Sequence, residues 1–194
     1  MGDSVTTGGE AKQAETGRVT LHMVASLDGF IARSDNTVSW LESPPDAYPP
    51  GVPEESAADL VRTIDCYVMG SRTYEHAVEL GWPYGDTPTI VVTGRQLPSV
   101  KANVEYYSGS LETLFNGILR PRYRDIWIVG GAMLCRRVLD RDLVDQIRLT
   151  LAPVLLGAGV RLFGDAGSET RWRLRDVVAY NTGFVELVYR RGAA

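Results

Sequence analysis

Positive charge is not in excess in this sequence: 20 Lys and Arg stand against 24 Asp and Glu, a formal net charge of −4. A chain of that balance has no electrostatic footprint for nucleic acid or an anionic membrane surface, and neither is expected as a partner. No apolar run approaches the roughly 20 residues that cross a bilayer. The first residues do not follow a signal-peptide pattern, so a cytoplasmic location is expected. Cysteine and histidine number two each, too few for a zinc site of the usual ligand types, and no metal is expected. Cys66 falls in a predicted strand and Cys135 in a predicted helix. They read as small core residues of a reducing compartment rather than a disulfide.

What is present suffices for one domain. The chain has 194 residues, 44% of them hydrophobic, enough to bury a sizeable core. Residues 1–17 are polar and rich in Gly, Thr and Glu and read as a disordered tail. Residues 18–192 read as a single folded domain.

The organising stretch is Ile126-Trp127-Ile128-Val129-Gly130-Gly131-Ala132-Met133-Leu134. Its apolar start predicts a buried strand. After two glycines, Ala132 to Val144 predicts a helix with Leu134 and Val138 on one face. Strand, side-chain-free turn and helix N-terminus together make an anion site. The first helical N–H groups lack internal partners, the helix dipole adds about half a positive charge, and glycine admits a ligand to the backbone. A nucleotide pyrophosphate is the expected occupant.

Two further strand ends repeat the device. Cys66 to Met69 predicts a strand followed by Gly70-Ser71-Arg72-Thr73 and a helix from Tyr74 to Leu80. The arginine fork and two hydroxyls suit a phosphate. Thr89 to Thr93 predicts a strand that ends in Gly94-Arg95.

Around these lie the remaining elements. Val19 to Ala25 predicts the opening strand, with His22 at its middle as a core or edge histidine. Ser26-Leu27-Asp28-Gly29 predicts a turn, after which Phe30-Ile31-Ala32 resumes and the chain runs on to Trp40. A proline-rich connection, 42–53, precedes a helix whose Ala57, Leu60, Val61 and Ile64 share a face. Glu54 and Glu55 fall in its first turn, where they favour the dipole or supply a catalytic carboxylate. Val104 to Tyr107 predicts a short strand, and Leu111, Leu114, Phe115 and Ile118 mark an amphipathic helix. From Gln146 the pattern alternates with period two, and Asn181-Thr182-Gly183 separates two such runs into a hairpin. The expected fold is α/β: three layers around a mostly parallel sheet with an antiparallel C-terminal hairpin.

Val24 to Ala32, then Val68-Met69-Gly70-Ser71-Arg72-Thr73-Tyr74-Glu75, then Ile128-Val129-Gly130-Gly131, then Leu143-Val144-Asp145 and Ala152-Pro153-Val154-Leu155-Leu156-Gly157 resemble the dihydrofolate-reductase-like superfamily. Within it the chain is most similar to the reductase domain of the riboflavin-biosynthesis deaminase/reductase and its stand-alone relatives. The resemblance runs from about Val19 to Arg190. It implies an eight-stranded mixed sheet and NADPH as cofactor. It sets the Ala25 backbone beside the nicotinamide and Ser26, Asp28 and Gly29 in the covering loop. Gly70, Ser71, Arg72 and Thr73 would bind phosphates, with Arg72, Thr93, Gly94 and Arg95 toward the 2′-phosphate. Val129, Gly130, Gly131, Ala132, Met133 and Leu134 would line the pyrophosphate, with Gly130 and Gly131 joined by a cis peptide. Asp28 and Glu54 stand as the candidate catalytic carboxylates, and Asp28 and Trp40 as substrate contacts. The implied activity is reduction of a ribosylaminopyrimidine intermediate of riboflavin synthesis, or else of a dihydrofolate or pterin. A homodimer built on the C-terminal strands is expected. The other open class is a non-catalytic, dimeric NADPH-binding protein. The zinc deaminase half of the bifunctional enzyme has no counterpart in this length and Cys/His supply.

Overall fold

The computed structural model describes residues 17–42, 47–53, 62–164 and 169–192. The tail 1–16, Glu54, Glu55 and most of the amphipathic helix expected after Pro53 lie outside the described residues.

Eight strands form one sheet in the order β5-β4-β3-β6-β1-β7-β10-β9. They are β1 (Arg18–Ser26), β3 (Cys66–Gly70), β4 (Thr89–Val92), β5 (Val104–Tyr107), β6 (Asp125–Ile128), β7 (Gln146–Ala152), β9 (Trp172–Ala179) and β10 (Val185–Arg191). Strands β5, β4, β3, β6, β1 and β7 run parallel; β10 is antiparallel to β7 and β9. The mostly parallel sheet with an antiparallel C-terminal hairpin is therefore as the sequence leads one to expect. β2 (Phe30–Ala32) and β8 (Val160–Arg161) form a separate two-stranded ribbon.

Among the described residues three helices cover the sheet: α1 (Ser71–Glu79), α2 over 111–122, and α3 (Ala132–Leu139). One face of the sheet packs Leu21, Val68, Ile126 and Ile128 against Leu114, Phe115 and Leu119 of α2 and Leu134, Cys135 and Val138 of α3. The other packs Tyr67, Met69, Val91 and Trp127 against Tyr74 and Ala77 of α1. Central strands are apolar on both sides because each side is covered.

Several boundaries differ from the sequence expectation. α1 starts at Ser71 rather than Tyr74, because extended Gly70 is its N-cap. Ser71, Arg72 and Thr73 thus form its first turn instead of a preceding loop. α3 ends at Leu139 rather than Val144. Asp142 adopts a left-handed φ of 57°, and Leu143 and Val144 leave the helix to be buried ahead of β7. Residues Thr113–Leu119 of α2 form a π-helix, so the Arg120 N–H reaches the Phe115 carbonyl. Phe30 to Ala32 leaves β1 altogether for the ribbon with β8. Gly159 allows that approach, since a Cβ there would lie 2.1 Å from the Ala32 carbonyl oxygen. β7 does not have one buried and one wet face. It lies between β1 and β10, and its Arg148 is bonded at 2.6 Å to the buried Glu186.

Arg120 ties α2 to the start of the sheet. It forks onto the Asp145 carboxylate at 2.7 and 3.0 Å and also donates to the Gly17 and Leu143 carbonyls. Asp145 in turn accepts from the Val19 N–H at 2.7 Å. His22 packs against Trp127 with ring centroids 4.5 Å apart. Burial, aided by Arg148, lowers its pKa to about 4, so it is a neutral core residue as its position in β1 suggests.

Leu21 sits at the middle of the sheet with no exposure. Leu21→Ala is expected to lower unfolding free energy by about 2–5 kcal/mol with an unchanged denaturant slope, read by urea unfolding.

Candidate active site

Because β4, β3, β6, β1 and β7 are parallel and adjacent, their C-terminal ends share one rim at strand spacings of about 4.8 Å. The strand ends that carry the sequence-predicted cofactor residues lie on this rim. Thr93, Gly94 and Arg95 follow β4; Gly70 to Thr73 end β3 and open α1; Val129 to Leu134 end β6 and open α3; Ala25 and Ser26 end β1.

The centre of the rim is backbone. The Gly70 N–H donates to the Gly130 carbonyl at 2.8 Å, and the Val129 N–H to the Val68 carbonyl at 3.0 Å. The Gly130–Gly131 peptide is cis and Gly130 has φ +119°, a conformation L side chains rarely adopt. The N-caps of α1 and α3 are Gly70 and Gly131, and neither helix has a side-chain cap. Two helix N-termini, each with unsatisfied N–H groups, therefore stand at adjacent strand ends. Thr73 Oγ1 lies where a Cβ on Gly130 or Gly131 would come within 3.4 Å, so this hydroxyl borders the same turn. A dinucleotide's phosphates fit such a cradle: donors converge, and bare glycines leave the backbone accessible.

Not every expected contact is available. The Leu134 side chain is buried in the core and its N–H is bonded to the Gly131 carbonyl at 2.9 Å. It anchors α3 rather than lining the rim. Val129 contributes a backbone link, while Ala132 and Met133 supply the first turn of α3, Met133 with its side chain 71% exposed. The two cations also differ. Arg95 forks onto Glu75 at 2.6 and 3.1 Å, which holds that carboxylate below its ordinary range, and its N–H is fixed by Thr93 Oγ1 at 3.0 Å. Arg72, exposed on the first turn of α1, makes no hydrogen bond or ion pair among the described residues. Glu75 was not singled out for a role by sequence. Its i+3 spacing from Arg72 on a helix is the signal that marks it.

Asp28 is bonded on both oxygens. Buried Ser26 donates its hydroxyl to Asp28 Oδ1 at 2.5 Å and accepts from the Phe30 N–H at 3.0 Å. The Leu156 N–H donates to Oδ1 at 3.1 Å and the Gly157 N–H to Oδ2 at 2.7 Å. These bonds, the Ser26 hydroxyl first, lower the Asp28 pKa to about 2. A carboxylate so held is an acceptor and not a proton donor near neutral pH. Through these bonds Asp28 clasps the loop after β1 to the loop after β7. Sequence reading missed Leu156 and Gly157, because a backbone donor leaves no trace in residue type.

Trp40 is 6% exposed, packed with Ala152, Tyr180 and Phe184. Its ring forms the floor behind the β1 and β7 end. Its Nε1, and Thr182 Oγ1 in the β9–β10 turn, are buried without hydrogen-bond partners. Cys66 and Cys135 are free and buried, and burial pushes both thiols up to about 12. They are inert core residues.

Comparison with known proteins follows this geometry. The family model described as the RibD C-terminal domain matches residues 18–185. The uncharacterized protein YwjB of Bacillus subtilis strain 168 is 30% identical over 176 residues, covering 90% of this chain and 98% of that protein. The riboflavin biosynthesis protein RibD of Corynebacterium ammoniagenes is 25% identical over 171 residues, 78% of this chain but 48% of that protein. Among solved structures, a putative riboflavin biosynthesis protein from Shewanella sp. PV-4 superposes with a TM-score of 0.77 at 24% identity, covering 91% of this chain and 99% of that one.

The Asp28 clasp titrates low. Because its folded pKa is depressed, the clasp is intact above about pH 4 and is lost as pH falls through about 2. NMR shifts of the Leu156 and Gly157 amides are expected to move together with a midpoint near 2 and to stay flat from pH 5 to 8; a midpoint at the ordinary 3.8 would contradict the clasp.

Proposed function

The chain belongs to the RibD C-terminal domain family, and we propose on that premise that it is an NADPH-dependent reductase. The observation that carries the reading is the pair of uncapped, glycine-led helix N-termini beside Arg72 on one sheet rim. The alternation of bare strand ends along the rim supports a dinucleotide laid across it. Its 2′-phosphate end is assigned to Arg72, its pyrophosphate to the first turns of α1 and α3, and its nicotinamide to the ends of β1 and β7. From β4 to β1 is three strand spacings, about 14 Å, a span suited to an extended dinucleotide. The switch-point rule for ligands at the C-terminal ends of parallel strands points to the same rim.

When bound, NADPH would supply a hydride to a C=N or C=O carbon of the substrate, whose heteroatom would take a proton. The protein's part is positional. Gly130 and Gly131 keep the backbone low enough for close approach. Ser26 and Asp28 fix the covering loop against the loop after β7, which holds water out of the nicotinamide end. Asp28 acts here as a positioning residue. Glu54 is kept as the candidate proton donor on the strength of the resemblance. The substrate is a planar nitrogen heterocycle; the ribosylaminopyrimidine of riboflavin synthesis and a dihydropterin are the two members to assay. The family's reduced dinucleotide and the two free thiols support a cytoplasmic setting.

A second copy of the chain is the proposed partner. Supporting this, α3 stops short of β7, β10 and β9, and a groove of about 570 Å³ opens there beside Leu149, Trp172 and Tyr189. Leu174 and Val177 on the edge strand are half exposed, an apolar face of the kind that interfaces cover.

Arg72→Ala is expected to weaken NADPH by about 10- to 100-fold, the worth of a charged hydrogen bond, and NADH hardly at all. Tryptophan-fluorescence titration with the two nucleotides measures this, and equal losses would sink the assignment. Leu174→Glu is expected to shift the sedimentation coefficient from dimer toward monomer without loss of secondary structure.

A further inference from the structure

At the opposite end of the sheet from the rim, the starts of β1, β6 and β7 and the paired strands β9 and β10 line a cavity of about 220 Å³. Thr20 in its wall stands six residues before Ser26 at the rim end of β1, about 20 Å away at roughly 3.3 Å per residue. The cavity is therefore separate from the glycine turns. It is smaller than the pockets that take drug-sized ligands, so its occupant is small.

Two of the side chains that line it are buried and polar, Thr20 at 1% and Gln146 at 7% exposure. The Thr20 hydroxyl makes no hydrogen bond among the described residues, and the Gln146 side chain only accepts, from Arg190 Nε at 3.4 Å. A hydroxyl and an amide N–H₂ are thus left as donors at the inner wall, where an unmade hydrogen bond is costly. The Arg148 Nε is likewise buried without a partner.

Four guanidiniums line the same space. Arg18 is matched by Asp125, and Arg148 by the buried Glu186 at 2.6 Å. Arg175 and Arg190, both exposed, have no ion pair within 4 Å among the described residues. The remaining lining carboxylate, Asp176, accepts the Val177 N–H at 2.9 Å and pairs with neither. The position of Arg175 has a backbone cause. Leu174 pairs with Tyr189 and Asp176 with Val188, so Arg175 is the extra residue of a β-bulge. A bulge re-aims a side chain, and here Arg175 and Asp176 both line the cavity. Neutral donors within and two unmatched arginine forks outside are the donor set that a phosphate group takes.

We propose that this cavity binds a small phosphate-type dianion, either free phosphate or the phosphate of a small monoester. Its oxygens accept from the Thr20 hydroxyl and the Gln146 amide within and from Arg175 and Arg190 at the mouth, which ties β1 and β7 to the edge pair β10 and β9. The site stands apart from the rim, and its test does not depend on whether NADPH binds there.

The test uses the purified full chain in a zwitterionic buffer at constant ionic strength. Inorganic phosphate and glycerol 3-phosphate are titrated separately by isothermal calorimetry, with sodium chloride as the control. One phosphate site per chain is expected, with a Kd below about 1 mM. Arg175→Ala and Arg190→Ala, each checked by circular dichroism, are expected to weaken it about tenfold, the scale of a lost hydrogen bond to a charged group. Thr20→Val keeps every charge and the side-chain shape, and is expected to weaken binding at least about threefold. Arg72→Ala, at the rim, is expected to leave it unchanged. Binding of both ligands supports recognition of the phosphate group on a monoester, and binding of inorganic phosphate alone supports the free ion. Absence of saturable heat overturns the site. So does binding that survives Arg175→Ala, Arg190→Ala and Thr20→Val, or binding lost in Arg72→Ala, which would put the anion at the rim.

Discussion

One backbone hydrogen bond sets the geometry on which the rest depends. The Gly70 N–H is spent on the Gly130 carbonyl, which locks the ends of β3 and β6 together just where each strand turns into a helix. With that bond made, α1 and α3 begin side by side and their first N–H groups face the same rim. A Cβ at Gly70 would lie 3.7 Å from the Gly131 nitrogen and 3.9 Å from the Gly130 oxygen, ordinary contact distances. What demands glycine is Gly130, with its positive φ. The anion binding proposed for the rim draws on peptide groups rather than side chains, and so it needs neither a basic patch nor a positive net charge.

Around this centre the side chains divide the rim. At one end Glu75 forks onto Arg95, while Arg72 makes no hydrogen bond or ion pair within 4 Å among the described residues. At the other, Asp28 is consumed in holding two loops together. Both carboxylates act on position through the groups they bind. The same logic governs the far edge, where Arg120 and Asp145 secure α2 against β1. Several charged groups of this protein are paired and structural, Arg120 with Asp145 and Arg148 with Glu186 among them.

Much of the rim was legible from residue order. Strand-glycine-helix units at 66–74 and 126–134 and a strand-glycine unit at 89–95 are readable because a strand has period two, a helix 3.6, and glycine breaks both. Their convergence was not readable from any one unit. It needed the parallel order β4-β3-β6-β1, which pairs segments up to about a hundred residues apart. Errors fell where local signal yields to contacts. Leu143 and Val144 continue the apolar pattern of α3, yet the core draws them out of the helix. Phe30 to Ala32 reads like a continuation of β1, yet it pairs with Val160 and Arg161. The backbone partners of Asp28, Leu156 and Gly157, lie about 130 residues away and leave no mark in residue type.

The sequence by itself determined the fold class and the glycine turns that close β3 and β6, because these rest on local period and backbone freedom. Tertiary structure alone decided which of the described charges are paired, and that Asp28 is held by two loops from separate strands. Burial and pairing belong to neighbours in space, and neighbours in space are set by the sheet order, not by the order of the chain.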